Sequence, residues 1–176
     1  MSKRAILLHP DPRLKKVCTD VTDVGPVDDD LRALAEDMLE TMYDAPGIGL
    51  AAPQVGITKR MLVMDCVKED DAEPRPLVLI NPVITRVSDA LNVYEEGCLS
   101  IPEHFADVER PAEVEVTWTD LEGVTQSEAF DGLWATCVQH EVDHLNGVLF
   151  IDHIRPLRRQ MITRKMVKLK REQARA

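Results

Sequence analysis

The sequence predicts an α+β fold, and three observations predict it. Residues at helical spacing are confined to one segment early in the chain and two late in it. Segments of strand character are gathered between them instead of alternating with helices, which argues against a parallel α/β sheet. The chain has 176 residues, 44% apolar and 30% charged, which fits one domain large enough to bury a core without disulfides. We therefore expect residues 1–176 to form a single domain, with residues 157–176 a basic helix within it.

His9 to Leu14 (HPDPRL) carries two prolines and reads as a loop. Val27 to Asp44 reads as the first helix. Asp28, Asp29 and Asp30 supply a cap and negative charge at its start. Leu31, Leu34, Met38 and Met42 recur at helical spacing, and Pro46–Gly47 should stop it. Strand character follows at Arg60–Val67, Leu77–Val87, Leu91–Tyr94, Val114–Trp118 and Thr125–Phe130, with a turn signal at Asp120–Gly123. A second helix should run from about Gly132 to Leu145 and end at Asn146–Gly147. A third should run from Leu157 towards the C-terminus, with Leu157, Met161, Met166 and Leu169 as an imperfect apolar stripe.

Charge is unevenly spread. The net charge is −10, yet His153–Ala176 holds nine Lys/Arg against one acid, Glu172. An acidic body with a basic tail suggests an anionic partner for the tail, or else a solvated helix face. No apolar run approaches the roughly 20 residues that span a bilayer. Ala5–Leu8 is too short for the core of a signal peptide, and no small-residue cleavage site follows. The expected location is cytoplasmic, with no membrane or DNA partner. Cys18, Cys66, Cys98 and Cys137 show no CxxC pairing, so they are expected to be thiols rather than a disulfide framework.

His140-Glu141-Val142-Asp143-His144 is an HExxH sequence on the second helix. Residues i and i+4 share a helix face, so two imidazoles can grip one divalent ion. Glu141 follows the first of them directly and can act on bound water without being a ligand. Such a match arises by accident about once in a few hundred chains of this length, which favours a metal site over two surface histidines. A catalytic site needs a third protein ligand and an open position. His9, His104 and His153 are possible third ligands in uninformative settings. Cys98 lies in Glu96-Gly97-Cys98-Leu99-Ser100, just after a strand-like segment. A third segment, Gly47-Ile48-Gly49-Leu50-Ala51-Ala52-Pro53-Gln54, combines small residues that admit a close neighbour with an uncharged amide donor. Taken alone it would read as a plain turn.

Together GIGLAAPQ (47–54), EGCLS (96–100) and QHEVDHLNG (139–147) resemble the three signature motifs of the peptide deformylase family, in order and in approximate spacing. The resemblance extends to HPDPRL, the helix before Gly47 and the basic C-terminal segment, so it covers nearly the whole chain. It implies short antiparallel sheets packed around a central HExxH helix. It implies Cys98, His140 and His144 as metal ligands and Glu141 as general acid and base. Gln54 and the Leu99 backbone N–H would receive the oxyanion, and Glu96 with Arg110 would brace the site. The implied metal is one divalent ion, Fe(II) in the cell, with Zn, Ni or Co also accepted. The implied substrates are N-formylmethionyl nascent peptides, and the implied partner of the basic helix is the ribosome. Where family members often carry a basic residue after the cysteine motif, this chain reads Pro102-Glu103-His104-Phe105-Ala106. Trp134 and Thr136 stand where shorter or aliphatic residues are frequent, so the pocket is expected to differ in shape.

The peptide is expected to lie along Ile48 and Gly49 as an added strand, using backbone hydrogen bonds that tolerate any sequence. Leu133 and Cys137, one to two turns before His140, are expected to wall an apolar pocket for the methionine side chain. Two alternatives stand beside this reading. One is a zinc endopeptidase, also built on HExxH. The other is a non-catalytic, ribosome-associated metal-binding module, against which Glu141 and Gln54 argue because a structural site needs neither.

Overall fold

Early helix α1 (Asp29–Asp44) begins where an acidic run allows a cap: the Asp28 carboxylate accepts from the Leu31 N–H at 2.8 Å. The computed structural model describes residues 2–22, 28–68 and 72–176, so Val27, the helix start expected from sequence, lies outside the described residues. The helix stops at Asp44, just before Pro46. Its apolar stripe, Leu31, Leu34, Met38 and Met42, is buried as the spacing predicts.

Among the described residues the strands form two antiparallel sheets. β1 (Gly49–Ala51), β2 (Met61–Met64), β3 (Leu77–Val87), β6 (Glu113–Thr119) and β7 (Thr125–Asp131) make a five-stranded sheet in the order β1-β2-β3-β6-β7. β4 (Leu91–Cys98) and β5 (Ile101–Pro111) make a separate two-stranded sheet. β1 thus lies at a sheet edge, paired on one side with β2, Leu50 opposite Val63.

β2 is shorter than the expected Arg60–Val67, β4 runs on past the expected Tyr94 to Cys98, and two further strands have no counterpart in the sequence reading. β1 falls in a segment that reads as a turn, and at three residues it is too short to show a period. β5 was not foreseen, although it is 11 residues long. Its interior positions, Ala106, Val108 and Arg110, alternate with Asp107 and Glu109, and the charged residues mask the period.

Helix α2 (Gly132–Leu145) spans the expected residues and fills the middle of the molecule. Ala135, Val138, Val142 and Leu145 pack with Leu62, Met64, Leu79 and Val116 from one face of the large sheet. The opposite face of β2, Met61 and Val63, packs with the α1 stripe. β2 is therefore buried on both sides, and α1, sheet and α2 stack in three layers there. Each fully buried Leu or Met contributes roughly 1.5–3 kcal/mol. Gly147, at φ +73°, ends α2; a Cβ there would sit 2.5 Å from the Lys15 carbonyl oxygen.

Helix α3 (Pro156–Arg175) is nearly the expected segment, but its buried face is different. Ile162 and Met166 are buried against Leu14, Ile101, Phe150 and Ile151, whereas Leu157 and Met161 are 71% and 51% exposed. The helix docks along the Ile162–Met166–Leu169 line, a narrower contact than the stripe read from sequence. No described helix is long and apolar enough to cross a membrane.

Candidate metal centre and active-site cleft

Two sheets and α2 meet at one cleft of about 460 Å³. α2 brings His140, Glu141 and His144, all buried. Cys98 comes from the end of β4, where the register shifts after Gly97 and Cys98 pairs with Ile101. The 3-10 turn Ala52–Val55 brings Gln54. Cys98 Sγ lies 3.3 Å from His144 Nε2. One donor atom each from Cys98, His140 and His144 lies within 4.8 Å of the others. His9, His104 and His153 are not in this group: His9 bonds Thr163, His153 bonds Asp143, and His104 lines the cleft away from the donors.

These residues fit a divalent metal. With metal–nitrogen and metal–sulfur distances of about 2.0 and 2.3 Å, tetrahedral donors lie about 3.5 Å apart, close to the Cys98–His144 separation. His140 Nδ1 is 2.9 Å from Glu96 Oε1. A carboxylate only accepts, so Nδ1 carries the proton and the Nε2 lone pair is left for a metal. Beside these donors, Glu141 Oε2 is buried without a hydrogen-bond partner. Burial pushes the Glu141 carboxyl up to about 7, into the range of a general base at neutral pH.

Glu96 belongs to a larger network. Arg110 grips it at both oxygens, Nε to Oε2 at 2.7 Å and Nη2 to Oε1 at 3.0 Å. Arg110 Nη1 also donates to Asp143 Oδ2 at 2.9 Å. Burial alone would raise the Glu96 carboxyl, but the bonds from His140 and Arg110 outweigh it and hold the carboxyl below its usual range. The Asp143 contact escaped sequence reading. Its signal was present, since Asp143 lies inside HExxH one residue before a ligand. His144 has no such outer partner: its Nδ1 is buried and unpaired, and burial lowers its proton affinity well below the ordinary value.

Gln54 is fixed at both ends of its amide. Oε1 accepts from the Ala51 N–H at 2.9 Å, and Nε2 donates to Ser100 Oγ at 3.1 Å while lying 3.5 Å from Cys98 Sγ. The amide N–H groups therefore face the donor cluster. Ser100 as the partner of Gln54 was not foreseen. Leu99, Ile48, Gly49, Leu133 and Cys137 line the same cleft. The Cys137 thiol donates to the Ile48 carbonyl at 3.6 Å. A Cβ at Gly49 would stand 2.6 Å from Glu141 Oε1, so only glycine lets the backbone pass the carboxylate.

Two expectations about pocket shape part company. Thr136 lines the cleft, but Trp134 does not; it packs with Phe130 at 6.2 Å and lies under the Arg75 guanidinium at 5.3 Å. On a helix, positions 134 and 136 point to different faces. Phe105 pairs with Gly97 across the β4–β5 ladder, with its ring over the glycine and one side open to solvent. Cys18, Cys66 and Cys137 are buried free thiols.

The comparisons with known proteins agree with this geometry. The family model described as "Polypeptide deformylase" matches residues 3–160. A peptide deformylase of Rhizobium meliloti (strain 1021) is 55% identical over 168 residues, covering 96% of this chain and 94% of that one. A crystal structure of a peptide deformylase from Legionella pneumophila superposes with TM-score 0.88 at 42% identity, covering 99% of both chains. The Ehrlichia chaffeensis peptide deformylase in complex with actinonin gives TM-score 0.91 at 37% identity, covering 97% of this chain and 99% of that one.

Proposed function

The chain belongs to the polypeptide deformylase family, and on that premise we propose how its own residues remove the N-formyl group from the N-terminal formyl-methionine of newly made polypeptides. The observation that carries the reading is the convergence of Cys98, His140 and His144 beside an unpartnered, buried Glu141 carboxylate oxygen. The zinc endopeptidase and the non-catalytic module receive no support from the relatives or from the cleft.

Cys98, His140 and His144 hold one divalent ion, Fe(II) in the cell, with Zn, Ni or Co able to replace it. When bound, the ion acidifies water and polarises the formyl carbonyl. Glu141 takes the water proton and passes it to the departing amine. Gln54 Nε2 and the Leu99 N–H donate to the oxygen on which negative charge develops. The peptide adds as a strand to the open edge of β1 at Ile48 and Gly49, a mode that reads backbone rather than sequence. Leu133 and Cys137 wall the pocket for the methionine side chain. Residues 1–176 act as one catalytic domain in the cytoplasm. The basic face of α3 meets ribosomal RNA phosphates, with salt-dependent affinity.

The test is deformylation of formyl-Met-Ala-Ser by anaerobically purified wild type and Glu141→Gln, with bound metal quantified in both. The mutant should keep its metal and lose turnover by about 10²–10⁴-fold. Equal turnover in the mutant would remove Glu141 from the mechanism. Metal-loaded wild type that leaves the formyl group in place would overturn the substrate assignment.

A further inference from the structure

A second cavity, of about 430 Å³, lies where the His9 loop, the 3-10 turn Phe150–His153 and the first turns of α3 meet. None of its lining residues lines the metal cleft. Lys15, Arg159 and Arg164 line it together with a single carboxylate, Asp152. That carboxylate is already engaged. Oδ2 accepts from the Leu149 N–H at 2.8 Å and from Lys15 Nζ at 2.5 Å, and Oδ1 is 3.5 Å from Arg159 Nη1. Among the described residues Arg164 has no carboxylate within 4.0 Å. The cavity is therefore cationic, and Gln160 and Thr163 add further N–H and O–H donors to its wall.

His9 gives the cavity its second feature. It is 7% exposed, lines the cavity, and its Nε2 is 2.9 Å from Thr163 Oγ1. Its Nδ1 is buried with no partner. Burial and the nearby Lys15 keep the imidazole neutral, with one N–H to place. Placed on Nε2, that N–H is donated to Thr163 Oγ1 and leaves the Thr163 hydroxyl proton for the cavity.

We propose that this cavity is a phosphate-binding site, with the Arg159 and Arg164 guanidinium groups and the Thr163 hydroxyl as its donors. Guanidinium forks match the oxygens of a phosphate, and a phosphate carries enough acceptors for a wall made almost wholly of donors. The phosphate is either a free or monoester dianion or a diester of a polynucleotide backbone.

Calorimetric titration of the metal-loaded full chain with inorganic phosphate tests the site. Saturating Met-Ala-Ser is present throughout to keep phosphate from the metal cleft. Arg164→Gln and Thr163→Val should each weaken binding by about tenfold or more, the loss expected for one charge-assisted or hydroxyl hydrogen bond. Lys168→Gln removes the same charge from an 80% exposed position of α3 outside the cavity and should change binding less than about twofold. The proposal is overturned if no heat appears up to ~10 mM phosphate. It is also overturned if Arg164→Gln binds like wild type, or if Lys168→Gln loses as much as Arg164→Gln. Methyl phosphate and a short oligoribonucleotide with hydroxyl ends then separate the sources. Tighter Arg164-dependent binding of the first assigns a free phosphate group, and of the second a polynucleotide backbone.

Discussion

Helices α2 and α3 differ in what their neighbours do. Ten of the 14 residues of α2 are buried, including both histidines and Glu141. Its polar groups are held from outside the helix, His140 by Glu96 and Asp143 by Arg110. Of the 20 residues of α3 only Ile162 and Met166 are buried. Its contacts anchor the helix and leave most of its cations in solvent. The lesson is that burial on α2 fixes chemical groups, whereas burial on α3 fixes only the position of a charged face.

The largest effect should come from Arg110→Ala. It leaves Glu96 buried without its bidentate partner, which should cost about 3–5 kcal/mol in denaturant unfolding. The freed Glu96 should also orient His140 less well and weaken metal retention by about 10–100-fold in a chelator challenge. Met166→Ala removes a fully buried side chain of α3 and should cost about 2–5 kcal/mol. Its metal retention and activity per folded molecule should stay at wild type. If Met166→Ala releases metal as readily as Arg110→Ala, the two helices are not separate in function.

Asp152 lies at the joint between them, and its effect should be intermediate and pH-dependent. Burial alone would raise its carboxyl, but the Leu149 N–H and Lys15 outweigh that and hold it below the usual range. A depressed carboxyl stabilises the fold above its unfolded pKa of about 3.9 and ceases to as pH falls through the folded value. Asp152→Asn should therefore cost about 0.5–2 kcal/mol at pH 7, the scale of a lost backbone cap. The deficit should shrink as unfolding is measured at progressively lower pH below 4. A deficit that is constant with pH would mean the carboxylate charge plays no part. Smallest of all, Leu157→Gln should stay within about 0.5 kcal/mol of wild type, because the side chain is already in solvent.

The sequence by itself determined those features whose cause is local. HExxH fixes two imidazoles on one helix face whatever surrounds them, and α2 spans the residues that spacing predicts. The Asp28 cap, the α1 stripe and the stop before Pro46 are likewise local. β3 has the expected bounds because its apolar run is long. The tertiary structure alone decided what depends on a distant partner. Cys98 reaches His144 only because β4 and β5 pair away from the large sheet and a register shift turns the thiol towards α2. β5 is a strand because β4 lies beside it, and its charged alternation hid that from a reading by period. Arg110 meets Glu96, as the family resemblance implies, but it also reaches Asp143 across 33 residues of chain, a closure no spacing rule contains. Which face of α3 is buried was set by Leu14, Phe150 and Ile151, so Ile162 is inside and Leu157 is out. Spacing says which residues share a face, and only packing says which face meets a neighbour.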